Sequence, residues 1–221
     1  ASHIIVKARD GMSAYRPNKP TLESLALSSR ISGVDIWLWA WVRSMSPGKG
    51  RSYVEDQAML LAQDARLTKA KVVVANMESP WSWSKIGGGF LLGEDELRQR
   101  AYIYISTLRD CLPDDCKIAV SSFRFPKWHR LPWEEMLPGV IGMPQIYFER
   151  KGYDEQAREA RIGWSAFGVT SVRISGPAYT WKAGKMSPAA FHIEAKRHCD
   201  GIDWWKADGL GPDELQVLEG L

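Results

Sequence analysis

KVVVANMESPWSW, residues 71–83, is the stretch on which the reading of this chain turns. It opens on a run of three valines, Val72, Val73 and Val74, as expected of a strand buried on both faces. It ends on the polar residues Asn76 and Glu78, followed by Pro80 and two tryptophans. Side chains alternate along a strand, so Val72, Val74, Asn76 and Glu78 share one face. An amide and a carboxylate therefore leave the end of a buried strand together.

Working outward, the same kind of segment recurs. Residues 34–42, VDIWLWAWV, form a strand with Val34, Ile36, Leu38, Ala40 and Val42 on one face and Asp35, Trp37, Trp39 and Trp41 on the other. Strands are also expected at HIIVKA near the N-terminus, at 117–122, 140–149 and 169–175, and at 201–208. Helical spacing fills the gaps: 21–32 with Thr21 as N-cap, 53–69 with its stripe Val54, Ala58, Leu61, Ala62 and Ala65, 94–111, a short helix at 133–137, 153–167 and 187–198. Gly211-Pro212-Asp213 opens a terminal helix. Residues 80–93 and 177–188 read as long loops, and IGGGF in the first lacks the lysine and spacing of a phosphate cradle.

Strand and helix alternate strictly, which implies parallel strands in either a (β/α) barrel or a doubly wound sheet. Three features favour the barrel: no glycine-rich dinucleotide turn, long loops that all follow strands, and polar or aromatic residues gathered at strand C-terminal ends. The expected fold is therefore an α/β (β/α)8 TIM barrel in a single domain over residues 1–221. Seven strands are counted, and the first residues already lie within one. Either the first βα unit is lacking from this chain or the barrel is incomplete. In a barrel, the tryptophan face of 34–42 points inward, with Trp39 and Trp41 towards the mouth.

Composition narrows the chemistry. The 221 residues are 45% hydrophobic and 25% charged, as in a globular domain. No apolar run reaches the roughly 18 residues of a membrane span, and no signal peptide opens the chain. The net charge of +3 comes from interspersed Lys and Arg with no basic stripe, which disfavours nucleic acid as a partner. Three cysteines, Cys111, Cys116 and Cys199, are too few for a disulfide scaffold and read as reduced thiols. His3, His129, His192 and His198 show no metal-ligand spacing, so no metal or other cofactor is expected. His192 and His198 read as helix-surface residues. Eleven tryptophans are the compositional anomaly. Some belong in a core; others suit the apolar faces of sugar rings.

The segments VKARDG, IWLWAWV, VVVANMES, SSFRFPKWH with LPWEE, MPQIYF and GIDWWKAD together resemble glycosidase-like TIM barrels of phage and bacterial proteins. They are distantly similar to family 25 lysozymes and family 18 chitinases. In those enzymes a strand ends in Asp-x-Glu, the Glu protonates the glycosidic oxygen, and a Tyr on a later strand places the N-acetyl oxygen. The resemblance implies Glu78 as general acid and Tyr147 as the tyrosine. Asn76 stands where the family keeps an Asp, and an amide supplies a hydrogen bond but no charge.

The expected site is thus Glu78, Asn76 and Tyr147 as catalytic residues, with Lys7, Trp39, Trp41, Trp81, Gln145, Trp204 and Asp208 binding substrate. Two or three of the tryptophans, Trp205 included, are expected to line the cleft and the rest to be core. Asp10, Glu149 and Asp208 are the candidates for a second carboxylate, against the simpler reading of loop or helix capping. Glu78 has its own structural reading, an ion pair with Lys7 or Arg124. Lys7 is also placed to contact a substrate carboxylate such as a muramyl lactate. The implied activity is glycoside hydrolysis of an N-acetylated polysaccharide of peptidoglycan or chitin type. The alternative is an inactive glycan-binding barrel within a larger phage or cell-surface polypeptide, and either reading implies an extracellular, cell-wall or virion setting.

Overall fold

A computed structural model describes residues 2–15, 22–46, 49–82, 92–146, 153–177 and 188–205. Its elements, in chain order, are β1 (His3–Asp10), β2 (Ser13–Ala14), α1 (Leu22–Ser32), β3 (Asp35–Trp41), α2 (Ser52–Thr68), β4 (Val72–Asn76), α3 (Glu94–Cys111) and β5 (Lys117–Phe123). There follow α4 (Trp133–Met136), β6 (Ile141–Gln145), α5 (Tyr153–Ser165), β7 (Ser171–Pro177), α6 (Pro188–Ala195) and β8 (Gly201–Trp205). The strands form one sheet in the order β2-β1-β3-β4-β5-β6-β7-β8. Seven of them run parallel, each beside its neighbour in sequence, and β2 alone is antiparallel, a short return of the chain onto β1 that the sequence did not suggest. This is the expected barrel architecture. The expected helix after residue 211, the GGG loop and residues 147–149 of the 140–149 strand lie outside the described residues.

Two layers form because each strand presents two faces. Ile36, Leu38 and Ala40 of β3, Val73 and Ala75 of β4 and Val120 of β5 pack against Ala58, Leu61 and Ala65 of α2 and Leu97, Ala101, Ile105 and Leu108 of α3. The opposite parity makes a separate inner cluster: Trp37, Trp39, Val72, Val74, Ala119, Ile141 and Met143, with Trp41 and Ile5 at its margin. The tryptophans of β3 therefore point inward, as the alternation required. Burying a side chain of this size stabilises by about 1.5–3 kcal/mol, so the helix-facing layer is the main source of stability.

The sheet curls until its ends meet through side chains. Among the described residues no backbone pairing joins β8 to β1. His3 Nε2 instead contacts Asp203 Oδ1 at 2.8 Å, and Arg173 of β7 donates to both oxygens of Asp203 at 2.8 and 2.9 Å. The Arg173 guanidinium also lies 5.0 Å from the Trp37 ring, on which His3 stacks at 4.0 Å. Burial pushes the Asp203 carboxyl up, but the hydrogen bonds from His3 and Arg173 and their charges outweigh it and hold it below the usual carboxylate range.

The cysteines are all free. Burial pushes the Cys116 thiol up to about 11, and it raises Cys199 as well, so both stay protonated at neutral pH. His192 is not a simple surface residue: both ring nitrogens are buried without a hydrogen-bond partner, and the ring stacks on Trp204. His198 pairs with Asp154 at 2.7 Å.

Candidate active site

The end of β4 is the centre of the site. Asn76 aligns with Trp41 of β3 on one side and Ser121 of β5 on the other, and its side chain lies on the inner face, 2% exposed. Asn76 Nδ2 donates to Glu78 Oε1 at 3.0 Å. From β6, Gln145 Nε2 reaches Asn76 Oδ1 at 2.9 Å, Glu78 Oε1 at 2.6 Å and Ser121 Oγ at 3.2 Å. Four polar side chains from the ends of three adjacent strands thus converge, and Glu78, just past β4, caps them. Sites in this architecture form where barrel strands end.

The backbone around Glu78 is held on both sides. Met77 N donates to Ser121 O at 2.9 Å, and Ser122 Oγ donates to Met77 O. Trp81 N donates to Glu78 O at 2.8 Å across the 3-10 turn of Ser79–Trp81. The carboxylate is therefore oriented by its own backbone as well as by two amides. Both amides address Oε1, and Oε2 makes no hydrogen bond among the described residues. A proton on Glu78 can then reside only on Oε2, because Oε1 already faces two N–H groups. The half-buried carboxylate makes no ion pair among the described residues, so neither Lys7 nor Arg124 neutralises it.

Lys7 has a different partner. A register shift between Lys7 and Arg9 leaves Ala8 as the extra residue of a bulge in β1, so Lys7 aligns with Trp39 and Asp10 with Trp41. Strict alternation would put Lys7 and Asp10 on opposite faces; the bulge puts both inward. Lys7 Nζ donates to Asp10 Oδ2 at 3.3 Å and lies 4.1 Å from the Tyr15 ring and 5.0 Å from the Trp39 ring. Arg43, just past β3, donates to Asp10 Oδ1 from Nε at 3.1 Å and Nη2 at 2.9 Å. Burial raises Asp10, but hydrogen bonds from Arg43 and Lys7 and their charges prevail and hold the carboxyl below its usual range. Behind it, Arg9 turns outward to a bidentate pair with Asp64 of α2 at 2.6 and 3.0 Å.

Two expected binding residues lie elsewhere. Trp81 is fully buried in the helix-facing core, with Nε1 donating to Val42 O at 2.9 Å and its ring edge-on to Tyr104, so it offers no surface to a ligand. Trp204 also packs on the helix side, against Phe191 and His192 of α6, because Asp203 takes the inward position of β8. Glu78, Asn76 and Gln145 come together, while Lys7, Trp39 and Trp41 form the neighbouring wall. Tyr147, Asp208, Glu149 and the side chain of Trp205 lie outside the described residues. Ser121, Arg43 and Tyr15 were not singled out from the sequence. Only the alignment of Ser121 with the end of the preceding strand could have marked it.

The class that this architecture defines is the TIM-barrel fold shared by glycoside hydrolases. No protein-family model and no curated protein matches the chain. Among solved structures, a chitinase from Rhizomucor miehei is similar at a TM-score of 0.68 and 13% identity, over 99% of this chain and 93% of that one. A GH26 beta-mannanase from Bacteroides ovatus matches at 0.60 and 12% identity, over 98% and 77%. A family 18 chitinase from Crocus vernus matches at 0.54 and 13% identity, over 88% and 73%. At such identities the likeness is one of fold.

Proposed function

We propose that this chain is a glycoside hydrolase-like domain acting on an N-acetylated polysaccharide of peptidoglycan or chitin type, with Glu78 as general acid. The observation that carries the reading is the asymmetry of the Glu78 carboxylate, with Oε1 held by Asn76 and Gln145 and Oε2 left to carry a proton. A general acid needs one fixed oxygen and one transferable proton, aimed from a rigid support. Asn76 keeps the orienting hydrogen bond of the Asp in the resembled enzymes without its charge. With Glu78 the one carboxylate in the cluster among the described residues, the substrate's own acetamido group is the nucleophile that closes the mechanism. Tyr147 is assigned to place that group from sequence resemblance alone. Trp41, partly buried beside the cluster on β3, stacks a sugar ring, while Trp39 is buried beneath it in the inner cluster.

The second reading is a glycan-binding barrel without hydrolysis, and Asn76 is the observation that favours it: an amide cannot stabilise the cationic intermediate of a substrate-assisted reaction as a carboxylate does. Reducing-end release from peptidoglycan and chitin oligomers, with binding measured in parallel, decides between the two. Wild type is expected to cleave, and Glu78→Gln to lose about 10²-fold or more while still binding, since general acid catalysis contributes about 10²–10⁴-fold. Binding by wild type without release assigns the second reading, and cleavage undiminished in Glu78→Gln removes Glu78 from the role.

A further inference from the structure

Beside the Glu78 cluster lies a second group of charged side chains that the proposed reaction does not use. Lys7 and Arg43 present two cations to one carboxylate, Asp10, at the rim of the inner face. Both are accessible, with 21% of the Lys7 side chain and 53% of the Arg43 side chain exposed. Neither is used up by Asp10. Arg43 spends Nε and Nη2 on one oxygen, and Nη1 makes no hydrogen bond among the described residues. Lys7 makes a single bond of 3.3 Å, longer than the roughly 2.7–2.9 Å of a tight charge-assisted contact, and keeps two N–H groups.

The surroundings are built for this arrangement. The bulge at Ala8 turns Lys7 and Asp10 to the same side. Gly11, at φ +59°, leaves room for the Arg43 side chain: a Cβ there would stand 3.1 Å from Arg43 Cδ and 3.0 Å from Tyr53 Oη. Gln57 clamps the Arg43 backbone, accepting from its N at 3.0 Å and donating to its O at 2.9 Å. Tyr15, which is exposed, and the buried Trp39 flank the ammonium, so the Tyr15 ring and the charge can meet a sugar and its charged substituent together.

We infer that Lys7 and Arg43 form a subsite for a carboxylate carried by the polysaccharide, so that the substrate is an acidic N-acetylated glycan rather than a neutral one. The inference rests on the polysaccharide reading of the Glu78 site. Asp10 aligns with Trp41 and Trp41 with Asn76, so the backbone at Asp10, which holds the cations, stands two strand spacings, ~10 Å, from that at Asn76 beside the acid. The carboxylate therefore belongs to a sugar unit next to the one being cleaved, with Trp41 between them. Asp10 holds the two cations in place and competes with the incoming carboxylate.

The test uses two forms of one oligomer: an N-acetylated chain whose alternate sugars carry a lactyl carboxylate, and the same chain with those carboxylates reduced to alcohols. Wild type is expected to bind the acid form about tenfold tighter, or ~1.4 kcal/mol. The preference should shrink in 1 M salt, where the screening length falls to about 3 Å. Arg43→Gln and Lys7→Met bring the ratio towards one. Asp10→Asn raises it, a gain that a purely structural ion pair would not produce. Equal binding of the two forms by wild type, or a ratio unmoved by Arg43→Gln, overturns the subsite and leaves the polysaccharide reading standing. Binding of neither form overturns both.

Discussion

Replacing Gln145 with Leu tests the claim that one amide organises the whole cluster. Gln145 Nε2 is the hydrogen-bond partner of Asn76 Oδ1, shares Glu78 Oε1 with Asn76, and reaches Ser121 Oγ. Asn76 and Ser121 are 2% and 4% exposed, so water cannot readily replace what is lost there. An orphaned buried carbonyl oxygen costs about 1–3 kcal/mol, and the lost bond to Ser121 adds about 0.5–1.5 kcal/mol. Glu78 is half-buried and keeps Asn76, so its share is small. The sum, about 2–4 kcal/mol, corresponds to a fall in Tm of roughly 4–16 °C for a chain of this size. Thermal unfolding followed by circular dichroism, with Ser121→Ala as a control expected to lose about 1 kcal/mol, measures it. In a double-mutant cycle, Gln145→Leu and Asn76→Ala should couple by at least about 0.5 kcal/mol. A Tm within about 2 °C of wild type, or strict additivity, would refute the network.

The remaining predictions concern its supports. Asp64→Ala strips a buried Arg9, 8% exposed, of its bidentate partner and should cost about 3–5 kcal/mol in urea unfolding. Gly201→Ala puts a Cβ 2.2 Å from Arg173 Nη1 and displaces the guanidinium from Asp203; a loss of about 3 kcal/mol at neutral pH is expected by thermal unfolding. Burial, then the nearby charge of Lys196, lowers the pKa of His192, and burial and Arg124 lower His129. A histidine lowered from about 6.5 binds fewer protons folded than unfolded, so stability is full above that pH and declines as pH falls below it. His192→Phe should flatten that decline in denaturant titrations between pH 7 and 5. Asp203, held low, keeps its contribution until pH falls below the ordinary carboxylate value of about 4.

Much of this molecule was legible in its sequence because two periods rarely conflict. The 3.6-residue stripes of α2 and α3 and the alternation of β3 fixed the layers, and Trp37 and Trp39 lie inward as the pattern required. The meeting of Asn76, Glu78 and Gln145 was legible for the same reason, since they are polar residues at the inner parity of strand ends. Alternation failed where something else set the side. At β1 an extra residue reversed the parity, which brought Asp10 to Lys7. At β8 the partners of Asp203, Arg173 and His3, hold a carboxylate on the inner face and send Trp204 to the helices, an inversion of the apolar pattern. Trp81 stood in a loop beside a polar strand end, and only the three-dimensional position of Val42 O makes it a core residue. Arg43 escaped notice because it follows its strand by two residues, outside any periodic element.

The side-chain closure between β8 and β1 bears on how the chain reaches this state. Each parallel pair joins strands consecutive among the seven, so the sheet can grow from either neighbour without long excursions. The His3–Asp203 contact alone spans 200 residues, and closing so long a loop in an unstructured chain would cost about 4–5 kcal/mol. One such contact, worth about 1.5–3 kcal/mol, cannot meet that cost unaided. It forms only after the intervening strands have brought its ends together, and so it closes last. The same reasoning in reverse makes this edge the first to open, with the amides of β1 and β8 exchanging with solvent ahead of those of β4 and β5.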